Sequence, residues 1–227
     1  MLFGLLLVIF VVCLAFLYQD GLWGNAIRLI NVVSAALLAT NYFEPMADYL
    51  ESMQPTYSYL WDFLALWGLF VVFLAVFRAA TDSISRVKVR FLQLADRVGS
   101  IICSAWIGWI MVSFTVFSLH VAPLGREFMG SSFKPEERVE KGGAELYWLG
   151  FMQRVSRGQF SRRLSERELA ANQYASQQED RPGEEGVAVF DRTGEFLPKY
   201  ATRRARLQSH VENTGAVRVR PENLLRR

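Results

Sequence analysis

Residues Leu94–Trp109 read LADRVGSIICSAWIGW, and the reading of this stretch decides the fold. An acid and a base stand side by side at Asp96 and Arg97, and no further Asp, Glu, Lys or Arg follows before Arg126. Along that uncharged run Ser100, Ser104 and Gly108 recur at intervals of four residues. Residues i and i+4 lie on one face of a helix. Inside lipid, helices associate by close packing and interhelical hydrogen bonds, so small residues gather where helices touch. The stretch therefore reads as a transmembrane helix over 99–121 with a helix-packing seam along Ser100, Ser104 and Gly108. A polar pathway lined by the two serines is the sharper alternative, and packing needs fewer assumptions. Asp96 and Arg97 then lie just before the helix, where an acid suits the helix dipole and can cap free N–H groups. The long stem of Arg97 lets its charge reach lipid headgroups.

Working outward, Met1–Gln19, Leu29–Phe43 and Phe63–Phe77 also lack charged side chains. Crossing a bilayer takes about 20 predominantly apolar residues in a helix. Helices are accordingly expected over 2–18, 26–43, 57–78 and 99–121. The fold class is an all-α integral membrane protein: four transmembrane helices in residues 1–121, then a largely disordered, polar tail in 122–227 with short amphipathic segments. Residues 122–227 carry 19 of the 25 Lys and Arg and 15 of the 22 Asp and Glu. Such a stretch is short of the apolar surface needed to offset the entropy of ordering one large core. Its modest net charge gives no reason to expect a nucleic-acid partner. Met1–Tyr18 lacks a basic leader and a small-x-small cleavage site, so it reads as a retained helix rather than a signal peptide. Cys13 and Cys103 fall inside expected helices as small apolar residues, with no zinc or disulfide spacing.

Cytoplasmic loops are enriched in Lys and Arg. The second loop, Glu44–Thr56, has none and carries Glu44, Asp48 and Glu51, whereas the third carries Arg78, Arg86, Lys88, Arg90 and Arg97. The second loop is therefore expected outside and the third inside, which leaves both termini extracytoplasmic. Arg126, Lys134 and Arg138 pull the other way, but long tails cross membranes largely regardless of charge. Within Ser83–Val98, apolar residues recur at helical spacing around Arg86, Lys88 and Arg90. This basic amphipathic segment is expected to lie on the inner leaflet against anionic lipids. Tyr18, Trp23, Tyr42, Tyr57, Tyr59 and Trp61 sit near the expected helix ends, as aromatic residues do at the membrane surface.

Polar groups within a span are costly and are candidates for function. Arg28, Asn31 and Ser34 follow one line on the second helix, and Asp62 lies early in the third. Asn31 and Ser34 can bridge helices, and Asp62 beside Trp61 can sit at the interface. Together, Asn31, Ser34 and Asp62 are the candidates for a polar path. No Gly-x-Ser-x-Gly elbow, phosphate-binding glycine loop, His-Glu-x-x-His or Cys-x-x-Cys pair is present. No enzyme activity, cofactor or metal is expected. In the tail, Glu145–Gly158 has the spacing of an amphipathic helix resting on the membrane or the bundle. SQQEDRPGEEG reads as a linker, VAVFDRTGEF as a hairpin turning near Arg192–Gly194, and LPKYATRRARLQ as a short basic helix; the last residues are expected to fray.

Four short helices, a first loop containing Gly21, Trp23-Gly24 and Arg28, and a last helix opened by Asp96-Arg97 with Ser100, Ser104 and Gly108 following resemble the colicin V production protein family of bacterial inner-membrane proteins. Ile107 stands where the family usually has Arg, and the usual acid of the first helix is missing. The resemblance covers about residues 1–121. It implies a non-enzymatic inner-membrane accessory protein for toxin export or envelope maintenance, with membrane or envelope proteins as partners. A homo-oligomer is compatible with the seam. The alternative is a subunit of a small-solute or ion transporter or channel.

Overall fold

The computed structural model describes residues 2–84, 92–124, 143–158, 162–163, 187–191 and 194–214. Their architecture is helical apart from one very short strand pair. Helix α1 (Leu2–Leu17) is followed by a single 3-10 turn (Tyr18–Asp20), α2 (Gly21–Met53), a second such turn (Pro55–Tyr57) and α3 (Ser58–Ile84). After these come α4 (Gln93–Val121), α5 (Ala144–Ser156) and α6 (Phe196–Thr214). Strand β1 (Arg162–Arg163) pairs antiparallel with β2 (Val187–Ala188).

Three helical stretches are long and apolar enough to cross a membrane: Leu2–Met53, Pro55–Ile84 and Gln93–Val121. The first is divided at Gly21, whose φ of 79° and ψ of 166° lie in a region open essentially to glycine alone. The contacts with α4 show what the division does. Leu2 clusters with Val116, a Cβ on Gly108 would meet the Phe10 ring at 2.9 Å, and the Ser100 hydroxyl donates to the Tyr18 carbonyl at 2.7 Å. Leu22 then packs on Gly99, and the Phe43 and Phe117 rings meet at 6.3 Å. Helix α1 thus runs antiparallel to α4 and α2 runs parallel to it, so the chain reverses at Gly21. Helix α3 returns alongside α2, with the Asn31 amide donating to the Thr81 hydroxyl at 2.9 Å.

Helix boundaries differ from the sequence expectation in two informative places. Helix α2 continues through Pro45 to Met53 instead of ending near 43. Proline removes one helical N–H and crowds the preceding turn, yet Phe43 and Ala47 are buried on the inner face and hold the helix across it. Helix α4 begins at Gln93, so Asp96 stands in its first turn rather than before it.

One hydrophobic cluster joins α2, α3 and α4 to the tail helices. It includes Phe43, Ala47, Leu66, Phe70, Phe114, Phe117 and Val121 together with Trp148, Leu149, Met152, Phe190, Phe196 and Tyr200. The amphipathic segment expected over 145–158 is α5, which turns Trp148, Leu149 and Met152 onto the bundle and leaves Tyr147 and Phe151 exposed. The basic helix expected in 197–208 is α6 and is longer. The expected 187–196 hairpin is corrected: Val187–Ala188 pairs with Arg162–Arg163, and Phe196 opens α6. The positive φ of Asp191 turns the chain away from a hairpin, and its carboxylate accepts the Phe196 N–H at 2.9 Å, capping α6 instead. Burial pushes the Asp191 carboxyl above its usual range, and backbone hydrogen bonds to Phe196 and Glu195 partly offset this. The basic segment around Arg86, Lys88 and Arg90, the 176–186 linker, and the final residues 215–227 lie outside the described residues.

Candidate functional site

The first candidate site is the reversal at Gly21. The first N–H groups of a helix have no intrahelical partner. At the start of α2 the N–H of Leu22 is taken by the Asp96 carboxylate of α4 at 2.9 Å. Asp96 therefore caps a neighbouring helix, not its own, and adds a negative charge at the positive end of α2. Space is fixed as tightly as charge: a Cβ on Gly21 would stand 3.1 Å from the Asp96 carboxylate.

One turn further along α2, Asn25 is fully buried. Its amide nitrogen faces the Leu17 carbonyl at 2.6 Å, the Ser100 hydroxyl at 2.8 Å and the Ser104 hydroxyl at 3.1 Å. Ser104 in turn donates to the Ser100 carbonyl at 2.8 Å. This network ties the end of α1, the start of α2 and the small face of α4 into one joint. Arg28 pairs with Asp20 on the other side of the turn, and Gly24 lies against Asp20. Arg97 faces outward. The structure thus brings together Gly21, Gly24, Arg28, Asp96, Ser100 and Ser104, with Gly108 two turns along α4 against Phe10.

Asn25 was not among the sequence candidates. The second helix was expected to begin at 26, which left Asn25 as a loop residue. Its signal was its place one helical turn after Gly21, where a buried amide can serve two helices at once.

The second candidate site lies at the opposite end of the bundle, where the start of α3 and the far ends of α2 and α4 meet α5 and α6. Asp62 is buried and pairs with Arg203 of α6, whose guanidinium also donates to the Ser58 carbonyl at 2.6 Å. Arg203 stands over the Tyr59 ring at 5.4 Å, and Lys199 meets Glu44 at 2.7 Å. Tyr200 is buried beneath them, and burial, followed by the nearby Asp62 and Glu44 charges, pushes its hydroxyl well above the usual tyrosine range. Beneath α5, His120 lies 3.4 Å from Glu145, both buried, and the Trp148 indole donates to the Thr40 hydroxyl at 3.2 Å.

Asn31 and Asp62 are not brought together: Asn31 meets Thr81 toward the reversal end, and Asp62 meets Arg203 at the other. Ser34 is half-buried between these levels on α2. Arg203 escaped the sequence reading because its partner lies 141 residues away. Among the described residues no group of three or more His, Cys, Asp or Glu is placed to hold a metal ion.

Long apolar helices, a reversal fixed from a neighbouring helix and a small-residue contact face together define a multi-pass membrane protein. The sequence model of the colicin V production protein family matches residues 4–134, more than half of the chain, and the protein belongs to that family. Membership points to a membrane-associated role in colicin V production. No curated protein and no solved structure matches the chain. The matched stretch contains α1 to α4 and the whole reversal site; α5 and α6 follow it.

Proposed function

We propose that the protein is a non-enzymatic accessory of the bacterial inner membrane that supports toxin export or envelope maintenance. It crosses the membrane four times, with both termini outside. The observation that carries this reading is the reversal site: the residues that resemble the family's motifs form one helix joint, a structural task, rather than lining a solute path. Asp96 to Val116 is roughly 20 residues, about 30 Å of helix at 1.5 Å per residue, which matches a bilayer core. On that register the Gly21 turn sits at one surface beside the basic third loop. Asp62, Glu44, α5 and α6 sit at the other surface, on the acidic side. The charge contrast of the loops supports placing α5 and α6 outside. The lipid bilayer, anionic lipids of the inner leaflet and membrane or envelope proteins are its partners.

The test is a strain that makes a colicin V-type toxin and lacks its own family member. Restoring this chain is expected to raise secreted toxin without changing the amount synthesised, and Asp96→Ala is expected to abolish the gain. Unchanged secretion, together with Asp62-dependent solute flux in liposomes, would instead support the transporter reading.

A further inference from the structure

The geometry points to a docking groove at the capped end of the bundle for a basic, aromatic-bearing helix of another polypeptide, with α6 as its resident occupant. The groove has an aromatic floor and an acid on each side. Phe43 of α2 and Phe117 of α4 form the floor, and Glu44 of α2 and Asp62 of α3 supply the charges. Helix α6 reads this surface with one face. Phe196 stacks on Phe117 at 5.0 Å and meets Phe43 at 6.4 Å, and Tyr200 follows one turn later at 4.7 Å from Phe196. Lys199 and Arg203, also one turn apart, reach Glu44 and Asp62. An amphipathic helix laid in an apolar groove, with anchors one turn apart, is a recurring mode of peptide recognition.

Two observations favour exchange of the occupant. Phe43, Glu44, Asp62 and Phe117 all fall inside the family-matched stretch 4–134, whereas α6 lies beyond it. The groove is therefore part of the family's membrane unit, and its occupant comes from an appended segment. The hold on α6 is also uneven: the Lys199–Glu44 pair is solvent-exposed on both sides, and such pairs contribute little. Past Leu207 the helix buries no further side chain. The two acids select a cationic helix, so a partner segment spaced like Phe196, Lys199, Tyr200 and Arg203 fits the same surface. This inference rests on the accessory reading for the existence of a partner.

The test uses the full-length protein in lipid nanodiscs and a fluorescent peptide of residues 194–214. A tethered occupant lowers the apparent affinity of a competitor by the fraction of grooves left open. Arg203→Glu in the protein sets two acids face to face and weakens the resident helix. The peptide is then expected to bind this variant at least ~10-fold more tightly than wild type. A peptide itself carrying Arg203→Glu is expected not to bind. Lys199→Glu, at the exposed rim, provides a gentler variant with the same expected direction if Arg203→Glu does not fold. Equal binding of both peptides, or no binding to folded variants, would overturn the proposal. Self-association of the variant that excludes the peptide would make a second copy the occupant and equally overturn it. Peptide binding reads the groove alone, so its failure leaves the toxin-export result standing.

Discussion

At the scale of single residues, the reversal rests on three side-chain facts: a missing Cβ at Gly21, a carboxylate at Asp96 and a buried amide at Asn25. Gly21→Ala must adopt a backbone region reserved for glycine and crowd Asp96. It is expected to cost about 1–3 kcal/mol, read as a lowered midpoint in reversible unfolding in detergent. Asn25→Ala leaves the Leu17 carbonyl and two serine hydroxyls short of a donor. Interhelical hydrogen bonds in membranes are modest, so a loss of about 1–2 kcal/mol is expected in the same assay. Asp96→Asn keeps an acceptor for the Leu22 N–H and should be milder than Asp96→Ala; equal losses would mean that the hydrogen bond is not what matters. Asp96 and the face with Ser100, Ser104 and Gly108 were visible in the sequence because fixed spacing on one helix is a local property. Asn25 was not, because its role depends on where α1 ends and on which neighbour α2 meets.

At the scale of elements, the tail helices are held by surfaces of unequal strength. Helix α5 buries Trp148, Leu149 and Met152, whereas α6 relies on Phe196, Leu197, Tyr200, Leu207 and two ion pairs. Asp191→Ala removes the acceptor for the Phe196 N–H and should loosen the start of α6 by about 1 kcal/mol, read as faster amide exchange over 196–200. Tyr200 gives α6 a pH dependence. Its hydroxyl titrates higher in the folded protein than in the unfolded chain, so its contribution is complete below the usual tyrosine range and falls as pH rises through that range toward the folded value. Helix α6 should therefore be released at alkaline pH, and Tyr200→Phe should blunt the release in amide exchange. The amphipathic pattern of α5 was legible in sequence. The hairpin expected at 187–196 was not realised, because Asp191 caps α6 and β2 finds its partner at Arg162–Arg163, a pairing that no local pattern encodes.

At the scale of the whole molecule, hydropathy marked where apolar helices lie, but not how they connect. The first helical stretch, Leu2–Met53, is continuous enough to count as one span by length and composition. Only the contacts of Leu2 with Val116 and of Leu22 with Gly99 reveal two antiparallel arms. The tail was read from composition as unable to build a core of its own. Its helices order instead by sharing the core of the membrane unit, which composition does not report. The most direct test of the four-crossing account is labelling with a membrane-impermeant thiol reagent in a background with Cys13 and Cys103 replaced by Ala. Thr202→Cys on α6 should label in intact cells. Trp23→Cys at the reversal should label only after the inner membrane is opened. Trp23→Cys that stays unlabelled after opening would place Gly21 within the bilayer, and labelling in intact cells would put the reversal outside; either result would contradict the account.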